Sequence, residues 1–284
     1  MATVAEQLRR ADSLTPVSES ARLDTELLLC HTLQCNRTYL YTWPEKDLTP
    51  AQIAQFDALL QRRQSGEPIA YILGQQEFWS LPLAVSPATL IPRADTETLV
   101  EWVLSLPLNG SHQLLDLGTG TGAIALALAQ ERPQWQLTGV DISDRAVALA
   151  RANATSLKIS NCEFIEGNWF NPVQGRKFTV IVSNPPYIDP KDPHLHQGDV
   201  RFEPHSALIA DDQGLADLRF IAERARTHLL PSGWLCMEHG YDQAQIVQQI
   251  LTDLGYCAVG SERDLGGQLR VTFGQWRQGA SHDG

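Results

Sequence analysis

The spacing of apolar residues changes from helical to strand-like about a quarter of the way along the chain, which predicts two domains. From Val4 to Gln34 the apolar residues recur at helical spacing, with a break at Pro16 that separates two helices. A further helix should begin at Pro50, because Thr49 can cap it, and should end near Gly66. Residues 1–73 are therefore expected to form a small helical bundle.

Short runs of β-branched and aromatic residues follow the predicted bundle. Residues 74–92 are rich in glycine, proline and aromatic side chains, which favours a β-hairpin that links two domains. Strand and helix patterns then alternate, which is typical of a mostly parallel sheet covered on both faces. The predicted strands are 113–117, 137–140, 162–165, 178–183, 234–238, 256–259 and 269–274, and the predicted helices begin near Asp95 and span 123–130, 146–157, 215–230 and 243–254. The last two strands should pair antiparallel at one edge. We assign residues 93–277 to this α/β domain and expect a disordered tail at 278–284.

One stretch, Phe178 to Tyr187, combines a buried strand with a rigid corner. The strand stops where Pro185 and Pro186 remove backbone donors, so Asn184 lies at the carboxyl end of a strand, where ligands bind in open α/β sheets. The Asn184 side chain and the Pro185 carbonyl present two acceptors that suit an NH₂ group. Tyr187 adds a flat face that can stack on a planar amide or base. Alone, the stretch also fits a strand-ending turn with a core tyrosine.

Polar residues and glycines follow three further predicted strands. The loop Gly118-Thr119-Gly120-Thr121-Gly122 reads GxGxG, whereas dinucleotide-binding proteins favour GxGxxG. Asp116 just before it would repel a pyrophosphate and attract an ammonium group, which fits the amino acid half of S-adenosylmethionine. Asp141 is placed to accept hydrogen bonds from both ribose hydroxyls, and Asn168 and Trp169 can hold an adenine edge and face. The four strand ends together predict an S-adenosylmethionine site.

Composition limits the partners and the compartment. The 284 residues carry 33 acidic and 22 basic side chains, and the resulting net charge of −11 disfavours extended nonspecific binding to the phosphates of nucleic acid. The chain shows no membrane-length apolar run and no secretory signal, so we expect a cytoplasmic protein. Five cysteines without a paired spacing suit a reducing compartment, and no second ligand cluster accompanies Cys30, His31 and Cys35, so we predict no metal site.

The order of these motifs resembles class I S-adenosylmethionine-dependent methyltransferases that methylate amino groups, whose [DNS]-P-P-[YF] signature matches residues 184–187. The segments TLIPRADTE, DLGTGTGAIALALA, SNPPYI and GDVRFEP, with GEPIAYILG and EFWSLPL before them, are similar to the release-factor glutamine methyltransferases known as the HemK or PrmC family. The resemblance covers nearly the whole chain. Two departures are Ala94, where the family usually has proline, and Asn168, where an aspartate is common.

The resemblance implies a Rossmann-like domain with a seven-stranded sheet, and methyl transfer to the side-chain amide nitrogen of the glutamine in the GGQ motif of release factors. It implies that Asn184, Pro185 and Tyr187 act in catalysis, that these residues and Pro186 bind the substrate, and that Asn184 also borders the cofactor. The helical bundle would dock the protein substrate, and we expect a monomer. No metal and no strong base are required. Two alternatives stay open: methylation of an exocyclic base amine in RNA or DNA, and a protein-binding module that keeps a cofactor site only for stability.

Overall fold

The structure, a computed structural model, describes residues 2–277. Contacts between Cα atoms divide the chain into two compact units. The helical unit contains the residues up to Gln75 and also Pro193–Phe202, and the sheet unit contains Gln76–Asp192 and the residues from Glu203 onward. The inclusion of Pro193–Phe202 in the helical unit is not evident from the sequence. The predicted tail at 278–284 lies outside the described residues.

The helical unit buries the apolar stripes that the sequence shows. Its helices are α1 (Val4–Leu8), α2 (Ala21–Leu33), α3 (Arg37–Thr42), α4 (Pro50–Gln64) and α5 (Ile69–Leu73). Helix α4 begins as predicted, because the Thr49 hydroxyl accepts from the Gln52 amide at 3.3 Å while the Gln52 side chain accepts from the Thr49 amide at 2.9 Å. Helix α3 was not predicted.

A buried ion pair crosses the core of the helical unit. Nε of Arg63, at the end of α4, lies 2.7 Å from Oδ2 of Asp24 in α2. The same guanidinium donates from Nη1 to Asp199 at 2.9 Å, which ties the segment Pro193–Phe202 to the helices. Because both Arg63 and Asp24 are buried, removing either charge would leave the other uncompensated.

The predicted hairpin and seven-stranded sheet are confirmed. The hairpin pairs β1 (Gln75–Phe78) with β2 (Leu81–Ala84). The strands of the large sheet are β3 (Gln113–Leu117), β4 (Gln136–Asp141), β5 (Cys162–Glu166), β6 (Phe178–Ser183), β7 (Leu229–Glu238), β8 (Tyr256–Arg263) and β9 (Leu269–Trp276). Their order is β5-β4-β3-β6-β7-β9-β8, with β9 antiparallel to both neighbours and the other pairs parallel.

Helices cover both faces of the sheet. They are α6 (Glu97–Ser105), α7 (Ala123–Glu131), α8 (Asp144–Leu157), the single turn α9 (Asp211–Gly214), α10 (Ala216–Ala225) and α11 (Ala244–Asp253). In the central strand β6, Val180 and Val182 pack in the core that includes α6, α7 and α8, whereas Ile181 packs in the core that includes α10 and α11. Burial on both faces explains why this strand is almost continuously apolar. No helix among residues 2–277 has the length and apolar character that crossing a membrane requires.

One local prediction was wrong. The helix predicted over 215–230 ends at Ala225, and Leu229 already pairs with Phe178 as the first residue of β7. Apolar residues at 229 and 230 continue the helical spacing, so only the neighbouring strand decides their conformation. Helix α5 ends at Leu73 and the hairpin starts at Gln75, close to the predicted boundary between the bundle and the hairpin.

Candidate active site

Five strand ends meet at one edge of the sheet. Strand order reverses between β3 and β6, because the chain continues from β3 to β4 and β5 on one side and returns to β6 and β7 on the other. In α/β sheets such a reversal opens a crevice at the carboxyl ends of the strands. A cavity of about 310 Å³ lies there, lined by the glycine loop, the ends of β4, β5 and β6, and the segment before α6. Its volume is at the lower end of the range of about 300–1,000 Å³ for small-molecule sites.

The glycine loop takes a conformation that other residues rarely adopt. Gly118, Gly120 and Gly122 have φ angles of +71°, +55° and +82°. At Gly122 a β-carbon would lie 3.1 Å from the Phe164 ring, so this position also lacks room for a side chain. Gly118, Thr119, Gly120 and Thr121 line the cavity, whereas Gly122 lies behind it at the start of α7. The backbone of the loop is therefore open to a ligand.

Asp116 is buried beneath the glycine loop rather than on the cavity wall. Its side chain is 0% exposed, and Oδ2 accepts a hydrogen bond from the Thr119 hydroxyl at 2.7 Å. Its Oδ1 is buried and has no hydrogen-bond partner among residues 2–277. Burial raises the pKa of Asp116 to about 7, although the hydrogen bond from Thr119 lowers it. The sequence located this carboxyl correctly at a strand end but not its depth.

Asp141 lies on the cavity wall and supports the loop. Its Oδ2 accepts from the Gly120 amide and its Oδ1 from the Ser143 amide, each at 2.9 Å. Burial raises the pKa of Asp141, although these backbone hydrogen bonds oppose the change. The two oxygens of a carboxylate offer about four acceptor sites in total, so Asp141 retains acceptor capacity for the hydroxyls of a ligand.

Asn168 and Trp169 line the cavity after β5. Asn168 is exposed, and its backbone carbonyl accepts a hydrogen bond from the backbone amide of Asn171 at 3.0 Å. Trp169 has a φ of +47°, and its indole lies 3.7 Å from where a β-carbon on Gly118 would be. The ring therefore lies beside Gly118 and lines the cavity, where a flat ligand group could stack on it.

Asn184 has a fixed orientation at the end of β6. Its Nδ2 donates to the Thr96 hydroxyl at 3.3 Å, and no residue among 2–277 donates to its Oδ1. The end of β6 is held in turn by Ser183, whose hydroxyl donates to the Leu117 carbonyl at 2.8 Å. Asn184 lines the cavity. Its role as a hydrogen-bond acceptor for a substrate stays a prediction.

The three residues after Asn184 separate into two groups. Pro186 lines the cavity, whereas Pro185 and Tyr187 are not among its lining residues. Tyr187 packs against the core on the α10 and α11 face, and its hydroxyl donates to Oε1 of Glu238 at 3.1 Å. Burial raises the pKa of the Tyr187 hydroxyl, so it stays protonated as a donor. The catalytic and substrate-binding roles of Pro185 and Tyr187 stay predictions.

Sequence reasoning missed three residues of this region. Arg93 and Thr96 line the cavity from the segment before α6, and Arg93 forms an ion pair with the buried Glu203 at 2.5 Å. Glu238 lies buried at the end of β7 behind Tyr187. In the sequence, Arg93 and Thr96 lie beside the predicted helix start at Asp95, and Glu238 is the last residue of a predicted strand. The available signal was that β7, like β4, β5 and β6, ends in a polar residue at the edge where ligands bind.

Comparison with known proteins agrees with both units. Residues 3–74 match the PrmC N-terminal domain, and residues 94–200 match the methyltransferase small domain. A release factor glutamine methyltransferase from Shewanella oneidensis is 55% identical over 93% of this chain and 92% of its own length. The chain belongs to the release factor glutamine methyltransferase family. A second family member, from Escherichia coli, is 51% identical over 95% of this chain and 98% of its own length.

Solved structures show the same fold at much lower identity. A methyltransferase from Pyrococcus furiosus covers 77% of this chain and 96% of its own length, with a TM-score of 0.54 and 18% identity. The 16S rRNA N2 G1207 methyltransferase of Thermus thermophilus, in complex with AdoMet and guanosine, covers 72% of this chain and 50% of its own, with a TM-score of 0.51 and 18% identity. These likenesses place the sheet unit of this family member in the class I methyltransferase fold.

Proposed function

We propose that this protein transfers the methyl group of S-adenosylmethionine to the side-chain amide nitrogen, N5, of the glutamine in the GGQ motif of peptide chain release factors. One observation supports the reaction above others: in a chain of this family, Asn184 presents an acceptor, Oδ1, on the cavity wall next to the glycine loop. A primary amide offers two N–H donors, so an oxygen at this position can hold it.

The residues around the cavity fit the proposed cofactor. S-adenosylmethionine supplies an activated methyl group on a positively charged sulfur. Among residues 2–277 no group hydrogen-bonds the buried Oδ1 of Asp116, and a carboxylate there favours a nearby positive charge such as the ammonium of the cofactor. The backbone of Gly118 to Thr121 borders the cavity, Asp141 keeps lone pairs for ribose hydroxyls, and Asn168 and Trp169 provide an edge and a face for adenine.

The reaction needs orientation more than acid–base chemistry. An amide nitrogen is a poor nucleophile because its lone pair is delocalised into the carbonyl. Acceptors on both N–H groups, Oδ1 of Asn184 and the carbonyl of Pro185, would fix the nitrogen and favour its pyramidalisation. Pro186 and Tyr187 complete the corner, which the two proline rings keep rigid. In this proposal the hydrogen bond from Asn184 to Thr96 turns the asparagine oxygen toward the substrate.

The partners follow from the reaction. Release factors are the protein substrates, and residues 1–73 dock them. We expect a monomeric enzyme that works in the cytoplasm and does not bind nucleic acid, consistent with a net charge of −11. The alternative substrate, an exocyclic amine of RNA or DNA, is not favoured, because the family members above are named for release factor glutamine.

The test is label transfer from S-adenosylmethionine carrying a radioactive methyl group. We expect label on a release factor and none on the same protein with its GGQ glutamine replaced by alanine. Mass spectrometry of the tryptic peptide should show one added methyl group on that glutamine. Equal labelling of the two forms would end the proposal, and label on RNA or DNA that survives protease would favour the alternative.

A further inference from the structure

The Thr96 hydroxyl contacts Asn184 rather than its own helix. Thr96 ends the 3-10 turn Ala94–Thr96 that leads into α6, and with helical φ and ψ of −66° and −21° its side chain makes no capping hydrogen bond. The hydroxyl accepts from Nδ2 of Asn184 at 3.3 Å. Thr96 is buried, with 4% exposure, so this hydrogen bond lies largely out of contact with bulk solvent.

The hydrogen of the Thr96 hydroxyl must point away from Asn184. A hydroxyl that accepts from an amide has one hydrogen left to donate. The Glu238 carboxyl is the acceptor on this side, because hydrogen bonding by Thr96 and by Tyr187 lowers the pKa of Glu238. Glu238 Oε2 is buried and has no other partner among residues 2–277, so it is free to accept from Thr96.

Glu238 also contacts Tyr187, the last residue of the segment 184–187. Its Oε1 accepts from the Tyr187 hydroxyl at 3.1 Å. The buried carboxyl at the end of β7 thus supports two residues of the predicted substrate site. It contacts Tyr187 directly and Asn184 by way of Thr96. A carboxylate can accept several hydrogen bonds at once, whereas a neutral acid uses one oxygen as a donor.

We infer that Thr96 and Glu238 are positioning residues that keep the amide oxygen of Asn184 directed at the substrate, an inference that rests on the proposed function. While Glu238 is ionised it only accepts, so Thr96 donates to it and accepts from Asn184, and Asn184 Oδ1 faces the cavity. When Glu238 is protonated it can donate to Thr96, and Thr96 can then donate to a flipped Asn184. The flipped amide presents NH₂ to the cavity and cannot accept from the substrate.

The groups around Glu238 set the pH at which it is protonated and the Asn184 amide flips. Burial raises the pKa of Glu238 to about 7, while interactions with Thr96, Tyr187 and Arg270 lower it and Asp95 raises it again. The Arg270 guanidinium itself lies 3.5 Å from Asp95. On the same strand, the buried Cys236 thiol has a pKa well above its usual value, mainly through burial, and stays neutral. Methyl transfer should therefore rise with pH through about 7 as Glu238 ionises.

The sharpest test compares two substitutions at Thr96. Thr96→Val keeps the shape and removes the hydroxyl, so kcat for release factor methylation should fall about tenfold or more, the effect of about 1.4 kcal/mol, while the Kd for S-adenosylmethionine changes less than about twofold. Thr96→Ser restores the hydroxyl and should rescue most of kcat. Thr98→Val is the matched control, because Thr98 is a buried threonine of the same helix that lies outside this network. A Thr96→Val enzyme with the kcat of the wild type would overturn the inference.

A second pair of measurements separates this inference from the proposed function. Glu238→Gln cannot ionise, so the rise of kcat near pH 7 should disappear, and a retained rise would contradict the role of Glu238. In ¹⁵N NMR spectra, the side-chain amide of Asn184, assigned by its absence in Asn184→Ala, should shift with pH through about 7 in the wild type and not in Thr96→Val. This shift needs no substrate. Its presence with no methylation of release factors would refute the proposed function alone, and its absence would refute the inference.

Discussion

The buried carboxyl of Asp116 should make the protein less stable as pH rises. Its pKa is about 7 in the folded protein, mainly because burial disfavours the charge, against an ordinary value of 3.8. Below pH of about 4 both folded and unfolded states hold the proton, and between about 4 and 7 only the folded state does. The folded state therefore binds more protons in this window, and its stability falls as pH rises through it.

The size of the effect follows from the two pKa values. A change in pKa from 3.8 to about 7 lowers the free energy of unfolding by about 4 kcal/mol once the pH is above both values. About 2 to 3 kcal/mol of this loss occurs between pH 5 and pH 8. Asp116→Asn removes the titration. The free energy of unfolding of this variant minus that of the wild type should therefore be about 2 to 3 kcal/mol larger at pH 8 than at pH 5, which means that the variant is relatively more stable at pH 8. Taking this difference between two pH values cancels the fixed cost of placing an amide at the site.

Urea unfolding at pH 5 and pH 8 measures this quantity. Tryptophan fluorescence reports mainly on the sheet unit, because every tryptophan except Trp43 lies between Trp79 and Trp276. Asp253→Asn, at an exposed position at the end of α11, is the control and should change the difference by less than about 0.5 kcal/mol. A relative stability of Asp116→Asn that is the same at both pH values would refute the reasoning.

The same substitution should impair the proposed cofactor site. At a hundredfold excess over Kd, S-adenosylmethionine should stabilise the wild type by about 2.7 kcal/mol and Asp116→Asn by much less. Relative to the wild type, the variant would then gain stability between pH 5 and pH 8 without cofactor and bind the cofactor more weakly. Equal stabilisation of both proteins by the cofactor would show that Asp116 does not contribute to binding.

Three further predictions concern single side chains. Asn184→Ala should lower kcat about 10²- to 10³-fold with S-adenosylmethionine binding largely intact by calorimetry; loss of binding instead would reassign its role. Gly139→Ala should reduce the free energy of urea unfolding by about 1 to 3 kcal/mol, because its β-carbon would lie 2.5 Å from the Phe164 ring and 2.7 Å from the Thr119 hydroxyl; wild-type stability would contradict this. Arg63→Met should reduce the free energy of urea unfolding by about 3 to 5 kcal/mol at pH 7, because it leaves the buried carboxylate of Asp24 without its counter-charge. The reduction should be smaller in the double variant that also carries Asp24→Asn, and an equal reduction would contradict this.

The sequence alone determined the sheet and the positions of the strand-end residues. Apolar runs identify β3 to β6, and because parallel strands end at one edge, the glycine loop, Asp141, Asn168 and Asn184 had to be neighbours. Glycines with positive φ at 118, 120 and 122 agree with a loop that only glycine forms easily. These features depend on local spacing and backbone chemistry, which a sequence displays directly.

Only the tertiary structure decided what the side chains of these elements contact. The sequence places Thr96 beside a predicted helix start, but the structure shows that its hydroxyl accepts from Asn184, 88 positions away in the chain. It offered Asp116 at the cavity, but the carboxyl is buried beneath the loop, where its pKa rises to about 7. Leu229 joined a strand rather than the preceding helix because Phe178 pairs with it. In each case the deciding partner is distant in sequence, and local spacing carries no information about which distant residue the fold brings near.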